Sequence, residues 1–380
     1  MSKYVYLPET TGTLPLLDKK LIYADVSTIS FKSKNKKDIS NALPKHYENM
    51  INFYSAVRTE GTYPRFNIGD YCYKIEPDLY VTPLIDLSNI QRIDFDNLTD
   101  ARSLELKQQL EHFKRVYVFW SGGIDSTLIL SAILKNWTVE DLRYLTVVCN
   151  EDSINEHSNF YNNFIKDKLD VVSSNLFFKN ELTFQVDCVY VTGDSGDTMI
   201  GYTELENFNK MYPNIYNKSY KKHSKELVEY FGNGPLGYYS YKRIVQSLQQ
   251  QNLDFDTVFD FLWWIEFNWA YSLEVCYILW SYCLLPDHID TKTFMKNNVF
   301  NWFGDTRYQH WAMSAVGTDQ RIQNTIQSFK YSYKKYIYEF DRDLDYFLNK
   351  PRVSSVIKSR NLHHGKKVVA IDKDWTLYYL

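Results

Sequence analysis

Residues 121–126, with the sequence SGGIDS, have the residue types of an anion-binding turn. They follow an apolar run at 116–120 and precede a largely apolar run at 127–134, which predicts a strand, a tight turn and a helix. The N–H groups at the start of a helix attract anions, and glycines let phosphate oxygens approach the backbone closely. The predicted phosphate ligands are Ser121, Gly122, Gly123 and Ser126.

Asp125 lies inside this turn, where its carboxylate would repel a bare phosphate. Its presence is explained if Mg²⁺ lies between the carboxylate and the phosphate oxygens. The turn lacks the lysine of a Walker loop and does not follow the G-x-G-x-x-G pattern of dinucleotide-binding folds. These two phosphate-binding motifs are therefore excluded.

A second polar turn begins at Thr192, directly after the apolar run at 188–191, and contains Asp197. Turns that follow parallel strands emerge at the carboxyl edge of the sheet, where ligands of α/β folds bind. Asp125 and Asp197 would repel each other there unless a cation separates them, which favours a shared Mg²⁺. We expect Asp→Asn at either position to abolish most activity and to leave stability unchanged or raised, because the repulsion is relieved.

The SGGIDS segment resembles the SGGxDS signature of PP-loop ATP pyrophosphatases, which split ATP between its α and β phosphates. Residues 192–202, TGDSGDTMIGY, look like the second signature of asparagine synthetases, roughly SGEGSDExxGGY. The chain departs from it at Asp194, which replaces Glu, in the inverted order of Ser195 and Gly196, and in the single glycine before Tyr202. The resemblance covers about residues 115–355.

This resemblance implies roles for individual residues of the second turn. Gly193 would lie against the nucleoside, and Asp194 would take the acidic position associated with acid–base work. Asp125 and Asp197 would share Mg²⁺ and pyrophosphate.

A lysine pair further along the chain, in residues 334–338 (KKYIY), is similar to the K-x-I-L-R segment of the late helix of the synthetases. On this resemblance Lys335 delivers its charge to the phosphates. A compact, mobile cation suits that task, because negative charge grows on departing pyrophosphate. The alternative is an ordinary solvated helix face, since the pair lies in one run with Asp341, Arg342 and Asp343.

The elements that must position these residues predict an α/β fold. The strand at 116–120, the helix at 127–134 and a strand at 144–149 form a βαβ unit with parallel strands. The expected sheet is of the PP-loop (adenine nucleotide alpha hydrolase-like) type, with helical additions around Trp263 and Trp264 and a small N-terminal region. The predicted domains are an N-terminal region of short strands at 1–100, without an assigned role, and a synthetase-like domain at 101–380, which ends in one or two strands.

The composition of the chain limits the classes of partner and the cellular location that are expected. The 380 residues carry a net charge of -3 and a pI near 6.3, which makes nucleic acid an unexpected partner. The apolar stretch at 258–285 is interrupted by Asp260, Glu266 and Glu274 and is predicted to be buried helix instead of a membrane span. The five cysteines include no C-x-x-C pair and are expected to be free thiols, and the N-terminus lacks a secretory pattern, so a cytoplasmic location is predicted.

The predicted function is an ATP-dependent synthetase that adenylates a small-molecule carboxylate and forms an amide with ammonia or an amine, releasing AMP and pyrophosphate. Its cofactors would be ATP and Mg²⁺. Ser2 stands where glutamine-using asparagine synthetases have their catalytic cysteine, so glutamine would serve only through a separate amidotransferase. Two alternatives remain open: a PP-loop enzyme that adenylates a nucleobase carbonyl, and a catalytically inactive nucleotide-binding relative.

Overall fold

The computed structural model describes residues 12–15, 21–24, 84–174, 184–193, 195–201, 203–231, 234–270, 291–322, 328–350, 368–371 and 377–379. The chain divides into two compact units. One, called the sheet unit, comprises Thr82–Ile200 and Tyr282–Ser355, and the other, called the second unit, comprises Met1–Val81, Gly201–Ser281 and Val356–Leu380.

The strands, in chain order, are β1 Gly12–Pro15, β2 Leu21–Ala24, β3 Arg115–Phe119, β4 Leu145–Cys149, β5 Asp170–Ser173, β6 Cys188–Thr192, β7 Val299–Asn301, β8 Val368–Ile371 and β9 Leu377–Tyr379. The α-helices are α1 Phe95–Gln108, α2 Ile124–Asn136, α3 Val139–Leu142, α4 Glu151–Glu156, α5 Ser158–Phe160, α6 Gly196–Ile200, α7 Thr203–Met211, α8 Ser224–Tyr230, α9 Gly234–Gln250, α10 Val258–Ile265, α11 Thr291–Asn298, α12 Thr306–Ser314, α13 Tyr331–Asp341 and α14 Leu344–Asn349. Short 3₁₀ turns lie at Gln109–Glu111 and Trp302–Gly304, and π turns lie at Tyr161–Ile165 and Glu266–Ala270.

The sheet unit is built on a five-stranded sheet with the order β5-β4-β3-β6-β7, in which every pair is parallel. The predicted α/β class with a parallel sheet is therefore confirmed. The chain runs outward from β3 to β4 and β5, then crosses back to β6 on the other side of β3. Such a reversal of strand order opens a crevice at the carboxyl ends of the two central strands, where α/β folds bind ligands.

The core of the sheet unit follows from the apolar runs. Every position of β4 and of β6 is buried, as expected for parallel strands that are covered on both faces. Helix α2 is also buried along almost its whole length, including Leu128, Leu130 and Ile133. These elements hold the two polar turns on a rigid base.

The first helix of the sheet unit begins at Phe95, ahead of the predicted domain start at residue 101. The carboxylate of Asp94 accepts a hydrogen bond of 2.9 Å from the backbone N–H of Asn97 and caps the helix, while Phe95 and Leu98 are buried. The predicted domain boundary at residue 100 thus falls inside the first helix of the sheet unit.

The second unit contains helices α7 to α10 and two antiparallel strand pairs, β1 with β2 and β8 with β9. The predicted terminal strands are confirmed by β8 and β9. Trp263 and Trp264 are fully buried in α10, as predicted, and the indole N–H of Trp264 donates to Ser247 Oγ at 2.9 Å. Within the region predicted to form short strands at 1–100, residues 25–83 lie outside the described residues.

Two further expectations are tested in the described residues. Cys149 and Cys188 are free, buried thiols, and the other three cysteines lie outside the described ranges. Within the described helices, we find none with both the length and the apolar character that a membrane crossing requires.

Candidate functional site

The SGGIDS turn links β3 to α2, as the sequence predicted. It is closed by its own hydroxyls: the N–H of Ser121 donates to Ser126 Oγ at 3.1 Å, and Ser126 Oγ donates to the carbonyl of Gly123 at 3.2 Å. Gly123 is the N-cap residue of α2, and no side chain forms a capping hydrogen bond there. The first N–H groups of a 13-residue helix therefore face this turn, which favours an anion.

Gly122 is required by its surroundings. Its φ of 76° lies in the left-handed region that glycine adopts without strain. A Cβ atom at this position would collide with the carbonyl oxygen of Ser153 and come within 2.9 Å of Glu156 Cβ. Any side chain here would push the turn away from α4.

Asp125 and Asp197 meet at the crevice between β3 and β6, although they follow different strands. Each lies in the first turn of its helix, α2 or α6. Two glycines allow the close approach, because a Cβ on Gly196 would lie 2.5 Å from Asp125 Oδ1 and a Cβ on Gly193 would lie 2.8 Å from Ile129 Cδ1.

The cation between these carboxylates in the structure is the ammonium group of Lys330. It contacts Asp125 Oδ2 and lies 2.7 Å from Asp197 Oδ1, and its side chain is only 5% exposed. Burial lowers the pKa of Lys330, but the charges of Asp125 and Asp197 outweigh it, so the net pKa lies above its ordinary value. Lys330 is therefore a buried and positively charged member of the site.

Sequence reasoning missed Lys330 and selected Lys335 on the resemblance. In the structure Lys335 is 46% exposed, and its ammonium lies 3.7 Å from Asp96 and 3.5 Å from Glu339. It does not contact the aspartate pair, and its pKa is raised mainly by Asp96. One signal for Lys330 was available: it is the N-cap residue of α13, a position that favours Ser, Thr, Asp or Asn and where a cation opposes the helix dipole.

Lys334 follows Lys330 by one helical turn and is also buried. Burial, and then the positive charges of Lys330 and Lys350, lower its pKa to about 8. Its ammonium lies 4.2 Å from the centre of the Phe329 ring. The effect of Lys330 and Lys350 on Lys334 means that the three ammonium groups lie close enough to interact, although Lys330 and Lys350 are each paired with carboxylates.

A buried ion pair supports the glycine turn from behind. Lys350 Nζ lies 2.9 Å from Glu156 Oε1, and both side chains are less than a tenth exposed. Glu156 in turn lies against both glycines of the turn. The hydroxyl of Tyr346 donates to the carbonyl of Gly122 at 3.4 Å, and its ring stacks on His157 at 3.6 Å.

The far wall of the crevice is formed by β7. Asn301 pairs in register with Thr192 at the end of the sheet, and its side-chain N–H donates to Ser195 Oγ at 3.0 Å. Ser195 is fully buried. This hydrogen bond fixes the second polar turn against the neighbouring strand.

The structure brings together the predicted residues Ser121, Gly122, Gly123, Asp125, Ser126, Gly193 and Asp197. Asp194 lies outside the described residues. In the described parts of the chain, no cluster of three or more His, Cys, Asp or Glu side chains has the arrangement of a metal site. Of the described residues, Asp125 and Asp197 are the carboxylates that meet at this crevice.

Comparison with protein-family models finds no matching family, and comparison with curated proteins finds no significant match.

Proposed function

We propose that the chain is an ATP-dependent synthetase of the PP-loop type, which adenylates a carboxylate and joins it to ammonia or an amine. The observation that carries this proposal is that Asp125 of the SGGIDS turn, Asp197 of the second turn and a buried lysine contact one another at the crevice of a parallel sheet. Open α/β sheets bind nucleotides at this position. The altered order of the second turn affects Ser195 and Gly196, both of which are buried parts of the crevice wall.

The side chains present suit Mg²⁺. Carboxylate oxygens are its preferred protein ligands, and nucleotide sites commonly supply only one or two of them, with phosphates and water completing the shell. Asp125 and Asp197 already hold a positive charge between them, that of Lys330. When bound, the metal would supply charge neutralisation on the phosphates.

The protein would promote adenylation and amide formation by positioning the reactants and by stabilising charge. A carboxylate oxygen of the acceptor attacks the α-phosphorus, and the bond from that phosphorus to the bridging oxygen breaks, so pyrophosphate leaves with the electron pair. The N–H groups at the start of α2 would hold the phosphates. The ammonium groups of Lys330 and Lys334 would stabilise the negative charge that grows on pyrophosphate. An amine nitrogen then attacks the acyl carbon, loses a proton and displaces AMP.

Two further details complete the proposal. The acid–base role of Asp194 comes from the resemblance alone. A cytoplasmic location is favoured by the free thiols of Cys149 and Cys188, because unpaired cysteines are usual in a reducing compartment.

The proposal is tested by incubating the purified chain with MgATP, ammonia and a panel of carboxylic acids labelled with ¹⁸O in the carboxyl group. We expect AMP and pyrophosphate in equal amounts with one acid, and one ¹⁸O atom transferred from that acid to AMP. ADP and phosphate as the stoichiometric products would refute the proposal. Hydroxylamine in place of ammonia should trap the acyl-adenylate as a hydroxamate.

A matched control is the Lys114→Met variant. Lys114 forms an exposed ion pair of 2.8 Å with Asp187 and is 82% exposed, at the opposite, amino end of β3. It should retain the activity of the unmodified chain. Transfer of ¹⁸O to AMP from a nucleobase carbonyl, and from no carboxylic acid, would replace the proposed acceptor class with the nucleobase alternative.

A further inference from the structure

The aspartate pair is already occupied by a cation that belongs to the chain. The ammonium of Lys330 contacts Asp125 and lies 2.7 Å from Asp197 Oδ1, so it faces one oxygen of each carboxylate. The side chain is almost fully buried, whereas the two aspartates are 21% and 34% exposed. A divalent ion that used the same oxygens would compete with the lysine for them.

The backbone around Lys330 is anchored so that its side chain reaches the crevice. Lys330 has a left-handed φ of 55°, a conformation that is unfavourable for a residue with a side chain. The next two residues are tied to a neighbouring segment: the N–H of Tyr331 donates to the carbonyl of Arg321 at 3.2 Å, and the N–H of Ser332 donates to that of Gln320 at 3.0 Å. The hydroxyl of Ser332 donates to the same Gln320 carbonyl at 2.8 Å.

Electrostatics decides which cations the crevice can hold at once. A bare Mg²⁺ or Mn²⁺ added beside a buried ammonium would leave the site with excess positive charge, and like charges at contact distance repel strongly where water is scarce. Mg²⁺ also requires oxygens at about 2.0–2.1 Å, closer than an ammonium permits while it shares them. The polyphosphate of a nucleotide carries several negative charges and can bind the ammonium of Lys330. The carboxylates of Asp125 and Asp197 can then bind the metal.

We propose that Lys330 exchanges partners, binding Asp125 and Asp197 when no nucleotide is present and the polyphosphate when a nucleotide binds. Divalent metal therefore binds this chain only together with a nucleoside polyphosphate. This inference rests on the proposed function in one respect, because it takes the anion to be a nucleotide. The lysine thereby determines the order in which the ligands assemble.

The test measures Mn²⁺ binding by electron paramagnetic resonance, without nucleotide and with an ATP analogue that has a methylene group between its α and β phosphates. Wild type and the control Lys114→Met should bind no Mn²⁺ alone at submillimolar concentrations. Both should bind one Mn²⁺ with the analogue. The Lys330→Met variant should bind Mn²⁺ without nucleotide at least about tenfold more tightly than wild type, since the carboxylates are then left to the metal.

Tight binding of Mn²⁺ alone by wild type would overturn the inference, and so would failure of Lys330→Met to bind Mn²⁺ alone. If that variant folds poorly in metal-free buffer, Lys330→Gln and refolding in the presence of Mn²⁺ provide the same comparison. The arms without nucleotide need no acceptor and no turnover. Wild type that binds Mn²⁺ alone would therefore refute the exchange of partners while leaving the synthetase proposal intact, whereas loss of all analogue binding would refute the nucleotide site itself.

Discussion

At the scale of single residues, the question that the structure raises is which lysine would serve the proposed reaction. Lys330 lies between the two aspartates, whereas Lys335 lies at the surface beside Asp96 and Glu339. The two lysines are only five positions apart in the chain, so the comparison of their variants is well matched.

We predict that Lys330→Met lowers the rate of AMP formation by at least about a thousandfold, because the loss of a buried charge at the phosphates removes several kcal/mol of stabilisation. Lys335→Met should change the rate by less than about threefold, since an exposed ion pair contributes little. The measurement is kcat and KM for ATP in both variants under saturating acceptor. The reverse ranking would return the catalytic role to Lys335.

A second prediction concerns the stability of variants at the two aspartates, for which the structure reverses the expectation drawn from the sequence. Asn in place of either aspartate was expected to leave stability unchanged or raised, on the premise that the carboxylates repel each other. That premise does not hold, because the ammonium of Lys330 lies between the carboxylates and each carboxylate stabilises it. Loss of one carboxylate leaves the lysine with a single partner.

We therefore expect Asp125→Asn and Asp197→Asn to lower the free energy of unfolding by about 1.5–3 kcal/mol, the range for a hydrogen bond to a charged group. Both should also lower turnover by orders of magnitude. Urea unfolding beside pyrophosphate release measures the two effects. Asp187→Asn, which removes the partner of exposed Lys114, is the control and should leave stability nearly unchanged. Unchanged stability in both crevice variants would contradict the ion pairs.

At the scale of elements, α4 and α14 support the glycine turn through a buried histidine. His157 is 3% exposed, stacks on Tyr346 at 3.6 Å, and lies 3.9 Å from an Asp343 carboxylate oxygen. Neither of its ring nitrogens makes a hydrogen bond within the described residues. Burial is the main reason that its pKa falls to about 3; Asp343 acts in the opposite direction, and Lys350 lowers the pKa further.

This depressed pKa predicts acid sensitivity. In the unfolded chain a histidine gains its proton near pH 6.5, whereas folded His157 stays neutral down to about pH 3. Its contribution to stability is therefore full above pH 6.5 and is lost as the pH falls from 6.5 towards 3. His157→Phe keeps an aromatic ring for the stack and removes the proton site.

Between pH 6.5 and 4.5 wild type should lose about 2 kcal/mol more stability than His157→Phe, since the slope for one proton is about 1.4 kcal/mol per pH unit. Urea unfolding at several pH values measures this difference. Burial raises the pKa of Asp341 to about 6, but that group is present in both proteins and cancels in the comparison. Parallel curves for the two proteins would show that His157 titrates normally.

The elements also show what the sequence could reveal. The apolar runs of β3, α2 and β6 are continuous and local, so the strand, turn and helix around 121–126 were predictable, as was the placement of both aspartates after parallel strands. Lys330 was not, because its contact with Asp125 joins residues 205 positions apart, and its one local signal, a lysine at a helix N-cap, does not indicate which residues it contacts. The start of α1 at Phe95 was missed for a smaller reason, a cap by Asp94.

At the scale of the whole molecule, the site depends on the order of the strands. The turns after β3 and β6, far apart in sequence, become neighbours only because β6 pairs with β3 on the side opposite β4. The segment before α13 then adds the lysine to the same edge. Three separate parts of the sheet unit thus converge at one edge of one sheet.

This convergence predicts where a nucleotide will protect the backbone. With Mg²⁺ and the methylene analogue of ATP, amide hydrogen exchange should slow in peptides that contain 121–127, 195–199 and 328–334. At a ligand concentration about 100 times Kd the stabilisation is about 2.7 kcal/mol, which corresponds to a slowing of up to about 100-fold. Mass spectrometry of peptic peptides measures it without any need for the acceptor.

The opposite edge of the sheet is the internal control. Peptides that contain the amino ends of β3, β4 and β6, at residues 112–115, 142–145 and 186–188, should exchange at the same rate with and without the analogue, because they lie at the other end of the same strands. Protection limited to one of the three carboxyl-edge segments would mean that they do not form one site. Equal protection at both edges would indicate global stabilisation and would remove the evidence for a nucleotide at the crevice.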